Sequence, residues 1–299
     1  MTSSSAEVST SNHTPIVEAG DTGLVNALRT EKIRPGVRRF GGTNWLGLWT
    51  FYQKEVRRFL KVYFQTVLAP VMSTWLFLFV FMQAFGDARP EVGGVSYIVF
   101  LAPGLIMMAI LNNAFANSSS SLIIGKVQGS IVDILMAPLS PLELLMGFVG
   151  GAVTRGLLVG FVTAVTSAAF MAFSSPLPIH NVFAIVYFSF SAAVLFSLIG
   201  VIGGLWADKF DQLAAITNFI IQPLIFLSGT FYAVSRLPEP FLSLSAINPI
   251  FMVVDGFRYG FTGHSETNLM QSVLVVFVLN IIVTLLGYRL LKMGWKIKS

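Results

Sequence analysis

The nearest approach to a titratable cluster in this chain is Asp255, Arg258, His264 and Glu266, and the first two stand three residues apart inside the apolar stretch "INPIFMVVDGFRYGF". Groups of these types at one depth suit general acid–base chemistry. In a helix, however, Asp255 and Arg258 share a face and can neutralise each other, which lowers the cost of dipping into lipid. Other chemistry is excluded outright. With no cysteine there is no thiolate nucleophile, disulfide or thiolate metal site, and three scattered histidines leave little for metal ligation. No catalytic residue and no metal site is expected. Gly125-Lys126 is followed by Val127 and lacks the upstream glycine of a phosphate-binding loop, so the chain is not expected to hydrolyse ATP.

The elements that carry these residues belong in a membrane. Of 299 residues, 55% are hydrophobic and only 11% charged, with 27 phenylalanines. The net charge of +5 is concentrated at the two ends, beside apolar segments, where anionic headgroups are the simplest partner. Residues 1–42 are rich in Ser, Thr and Gly without apolar periodicity and read as a disordered tail, with no apolar signal region near Met1. From Trp45 to Lys61 a stripe of Trp45, Leu48, Trp49, Tyr52, Val56, Phe59 and Leu60 faces Lys54, Arg57, Arg58 and Lys61, the pattern of an interface helix over 43–61.

Charge-free runs then predict six transmembrane helices, near 63–85, 96–117, 144–173, 180–206, 212–232 and 268–290. Nine Lys and Arg precede the first span and Arg289, Lys292, Lys296 and Lys298 close the chain, against Arg89, Arg236 and Arg258 on the other side, so both termini are expected in the cytoplasm. The fold class is an all-α integral membrane protein. Within residues 233–266 the longest charge-free piece, Pro240 to Val254, is too short to span and holds Pro249, which predicts an external re-entrant helical hairpin before the last span.

Between spans two and three, a cytoplasmic segment (118–141) predicts a short amphipathic helix that Pro138 ends after Ala137. Ser140, Pro141 and Glu143 then match an N-cap, a first-turn proline and a capping-box acid. Gly147, Gly151, Gly156 and Gly160 in span three, with Gly200 and Gly204 in span four, mark close helix contacts. Arg155 among them needs a partner, and snorkelling to the cytoplasmic headgroups is favoured over facing a polar pathway. The mid-span acids of ion-driven pumps are missing.

These motifs, in the order "KEVRRFLK", "FLAPGLIMMAILNNAFANSSSS", "LMAPLSPLELLMGFVGGAVTRG", "FLSGTFYAVSRLP" and "INPIFMVVDGFRYGF", resemble the type-2 ABC exporter permeases from about Trp45 to the C-terminus. Met252 stands where members often carry a polar or basic residue. The resemblance implies a homodimer in the bacterial inner membrane, bound to two soluble ATPase subunits that hold ATP and magnesium. This chain would bind no cofactor of its own and no nucleic acid. The ATPase would be met by Lys126, Ile131, Asp133, Leu135, Ala137, Pro138 and Leu139. The permease would export a lipid, a glycan or lipid-linked sugar, or a drug-like amphiphile. The segment holding Pro249, Asp255, Gly256 and Arg258 would lie near the exit, with Phe226, Phe231 and Tyr232 lining or gating it and Arg155 a further pathway residue. The competing reading is a membrane-embedded lipid-modifying or assembly factor without transport.

Overall fold

Lipid offers backbone N–H and C=O groups no partner, so charge-free runs must satisfy themselves as helices. Among the described residues of the computed structural model, five helices are long and apolar enough to cross a bilayer. The model describes residues 42–85, 91, 92, 94–172, 175–239, 241, 242, 245 and 248–296. The expected tail, Arg89, Lys298 and much of the first limb of the expected hairpin lie outside the described residues.

Helix α1 (Trp45–Leu60) is capped by Asn44, whose side chain accepts from the Gly47 N–H. A π-helical turn, Phe64–Leu68, leads into α2 (Ala69–Phe85). A two-residue hairpin pairs β1 (Glu91–Val92) with β2 (Val95–Ser96) antiparallel. Then come α3 (Tyr97–Val127), α4 (Ile131–Met136), α5 (Pro141–Met171) and α6 (Val182–Trp206). The fifth apolar segment runs from Phe210 to Phe226 through α7 (Phe210–Ile216), a π-helical turn and α8 (Gln222–Phe226). At about 25 Å it falls short of the ~30 Å that a full crossing needs. The chain closes with α9 (Pro249–Thr262) and α10 (Leu269–Met293).

Helix α3 is the axis of the bundle, with 89% of its most apolar window buried, whereas α2 and α10 bury only 17% and 11% and form the rim. Small residues set how closely α3 is approached. A Cβ on Gly156 or Gly160 of α5 would strike Ala114 or Ile110, and one on Gly200 or Gly204 of α6 would strike Phe115, Ser118 or Leu122. Van der Waals packing of this kind is what holds helices together in lipid. The other half of the α5 glycine motif serves a different neighbour. Gly147 receives the Phe51 ring and Gly151 the Glu55 side chain, so α1 docks on α5. The stripe that packs is therefore Phe51, Glu55 and Phe59, while Trp45, Leu46 and Trp49 stay exposed.

At one end of the bundle, where α3 and α6 finish, Lys126 and Lys296 both reach Asp208; this is the basic end. Residues Thr43–Ser299 form one compact unit.

Candidate functional site

The segment after α3 departs from the single helix expected between Lys126 and Ala137. Helix α3 continues through the serine run to Val127, and Gly129, at φ 73°, then turns the chain before α4 begins. A left-handed backbone costs glycine nothing and stops the helix. Lys126 does not project with α4: its Nζ donates to the carbonyls of Leu205 (2.5 Å) and Ala207 (3.0 Å), tying α3 to the end of α6. Ile131 and Ile134 are buried under α4, whereas Val132, Asp133, Leu135 and Met136 point outward, with Met136 79% exposed. Ala137 is extended, and Pro138 and Leu139 lead into α5.

The knob stands on a stiff base. Ser140 accepts from the Glu143 N–H and Glu143 Oε2 from the Ser140 N–H (2.7 Å), completing the capping box. The other Glu143 oxygen accepts from the Asn44 N–H at 2.5 Å, and Asn44 Nδ2 donates to the Pro138 carbonyl at 3.1 Å. One asparagine thus caps α1, holds the turn after α4 and shares the acid that opens α5.

Farther along α5 lies a groove of about 720 Å³ between α2, α3 and α5. Its end toward the basic side is walled by Arg58, Gln65, Ser120, Asn113 and Arg155, and its deeper part by Phe77, Leu105 and Met108. Arg58 is fully engaged: it pairs with the buried Glu55 at 3.2 Å and donates to Ser120 and to Asn117. Glu55 also accepts from the Ser121 hydroxyl at 2.8 Å. Arg155 was expected to snorkel outward along α5. Instead its Nε and Nη2 both donate to Asn113 Oδ1 of α3 at 3.2 Å, which turns the side chain into the groove. A second amide link, Gln222 Nε2 to Asn112 Oδ1 at 2.9 Å, ties the fifth segment to α3 just deeper.

The aromatic residues predicted for the exit continue this face. Phe226 and Phe231 stack with centroids 5.5 Å apart, and Phe231 lies 5.6 Å from Phe77, the deepest aromatic of the groove wall. The Tyr232 hydroxyl donates to the Phe226 carbonyl, and that of Tyr97 to the Phe231 carbonyl. Arg155 and Phe77 thus line one groove, and the Phe77 ring meets Phe231 beyond it.

Helix α9 is wedged against α3 and α6, about 21 Å long and too short to span. Pro249 takes the first helical position behind the Asn248 cap. A Cβ on Gly256 would fall on the Phe188 ring, so that position must be glycine for α9 to touch α6. Asp255 and Arg258 are both buried, at 1% and 2% exposure, but no described ion pair joins them. Each has a longer-range partner. Arg258 donates to the carbonyls of Phe100 (3.2 Å) and Gly229 (2.7 Å) and lies over the Phe100 ring at 3.7 Å. Asp255 accepts from the Ser265 hydroxyl, the N–H groups of Glu266 and Thr267, and the Thr267 hydroxyl at 2.6 Å. His264 takes no part in a cluster with them; its described bonds stay within the turn, to Thr262. Asp255 and Arg258 thus act as a clasp between separate elements of the fold.

Sequence reasoning missed the Glu55 site and Asn44. The available signal was the i, i+4, i+8 spacing of Phe51, Glu55 and Phe59 opposite the glycines of α5.

Comparison with known proteins places these features in context. Residues 47–262 match the family model for the ABC-2 type transporter. The inner membrane transport permease YadH of Escherichia coli (strain K12) is 37% identical over 236 residues, covering 78% of this chain and 91% of YadH. Nodulation protein J of Rhizobium leguminosarum bv. viciae is 23% identical over 254 residues, covering 84% of this chain and 95% of that protein. Nodulation protein J of Rhizobium meliloti (strain 1021) is likewise 23% identical, over 73% of this chain and 80% of its own length.

Proposed function

The chain belongs to the ABC-2 type transporter family and is a transport permease subunit of an ABC transporter, and from that premise we propose that it works as the membrane half of an exporter powered by a separate ATPase. Two copies would assemble with two ATPase subunits, with both chain ends and the basic end of the bundle in the cytoplasm. The cargo would be an amphiphile, a lipid or a lipid-linked sugar, moved along the face that joins Arg155 to Phe231. ATP and magnesium would be held by the ATPase, whose opening and closing would favour two different packings of the permease.

The observation that carries this reading is α4: an apolar knob, exposed at Val132, Leu135 and Met136, fixed at its base by the Ser140–Glu143–Asn44 junction. An exposed apolar patch on a rigid mount marks a protein contact. Asp133 adds a charge to the contact, while Lys126, turned back onto α6, does not reach it.

The test is co-purification. An ATPase subunit should be recovered with the full chain, and Leu135→Glu combined with Met136→Glu should release it while membrane insertion and self-association persist. Recovery of the same ATPase with the double variant, or of none with the unaltered chain, would overturn the coupling role of α4.

A further inference from the structure

Arg155 is a cation inside a membrane helix with no ion-pair partner among the described residues. The described ion pairs are Arg58–Glu55, Lys126–Asp208 and Lys296–Asp208, and none includes Arg155. Its only described hydrogen bonds go to the neutral amide oxygen of Asn113. A charge at such a position is expensive unless something compensates it. Helix α5 is about 46 Å long, some 15 Å more than the hydrocarbon core, and Arg155 stands about 24 Å from its Met171 end. With Met171 at the far edge of that core, Arg155 would stand about 6 Å inside the other edge, near the headgroups of one leaflet.

The groove around it is graded in the same direction. Arg58, Gln65 and Asn113 stand with Arg155 at the polar end, and Phe77, Leu105 and Met108 wall the deeper part. We propose that this groove binds an amphiphile with an anionic headgroup, a phosphate ester or carboxylate, placing the anion at Arg155 beside Arg58 and the hydrocarbon along α2 and α3 toward Phe77. A guanidinium suits either group because it donates in a fork. A neutral sugar would leave the charge uncompensated, a cationic amphiphile would be repelled, and a bare anion would leave the apolar part unfilled. The volume suits a headgroup with the first part of its chains.

The claim rests on the transport reading only in calling the bound amphiphile cargo; binding itself is a property of the permease alone. The full chain, purified in neutral detergent, is titrated calorimetrically with dihexanoyl phosphatidate, dihexanoyl phosphatidylcholine and inorganic phosphate. Saturable binding of phosphatidate is expected, at least tenfold tighter than phosphatidylcholine, with Arg155→Gln weakening it tenfold or more and Arg155→Lys by less. Ser73→Phe fills the groove without altering either arginine and should abolish binding, so the outcome stands even if Arg155→Gln fails to fold. Equal affinity for the two lipids, or unchanged binding in both Arg155→Gln and Ser73→Phe, would overturn the site. Inorganic phosphate binding as tightly as phosphatidate would overturn the role of the tail. A Met108→Cys variant that cross-links between copies without binding phosphatidate would give the groove to a second copy and sink the proposal. Phosphatidate binding without any co-purifying ATPase leaves this site standing and removes the coupling through α4, and the converse result does the opposite.

Discussion

Removing the guanidinium of Arg258 takes a donor from each of the Phe100 and Gly229 carbonyls and uncovers the Phe100 ring. Arg258→Leu should therefore cost about 2–4 kcal/mol, read as a lowered Tm in detergent. Arg258→Lys should fall between the two, because a point charge cannot reach both carbonyls and the ring together. Arg258→Glu sets an anion against those carbonyls and should impair export without inverting topology, measured in inverted vesicles. The partners can be checked energetically as well. Asp255→Asn weakens the acceptor of four bonds from Ser265, Glu266 and Thr267. Combined with Arg258→Leu its cost should fall short of the sum of the two single costs, since the opposite charges act on each other through space from one helix face. The three-residue spacing put both charges on one face, which is correct, but a carbonyl 158 residues away in sequence leaves no local trace.

Between elements, the glycines of α5 decide who docks where. Gly147→Ala would drive a methyl into the Phe51 ring and should cost about 1–3 kcal/mol by overpacking, while freeing α1 from α5. A shift in the emission of Trp45 and Trp49 reports that release. The start of α5 was legible in the sequence because a capping box is written within four consecutive residues, Ser140 to Glu143. The face of α1 was not. A hydrophobic stripe counts Glu55 as outward, and only the Ser121 hydroxyl and Arg58, brought in by tertiary packing, make its burial affordable. The break at Gly129 was missed for a related reason: Val127, Ile131 and Ile134 keep helical spacing across a residue whose backbone is left-handed.

For the molecule as a whole, absence of cysteine makes orientation directly measurable. Single cysteines at Ser130 and Ser265 should react with a membrane-impermeant maleimide from opposite faces, Ser130 from the cytoplasmic one. Labelling of both from the same face would refute the proposed topology. The apolar runs announced most spans because composition alone decides that a segment enters lipid. Composition could not announce the shortness of the fifth, which ends where Leu227–Thr230 turns and Gly229 takes φ 72° to accept Arg258. Asn44 has a wider consequence. Its side chain and its N–H fasten the turn after α4 and the acid of α5 to the first residue before α1. Were a partner to displace the knob, the same joint would pass the displacement to α5 and to α1, whose Trp45 and Trp49 are exposed.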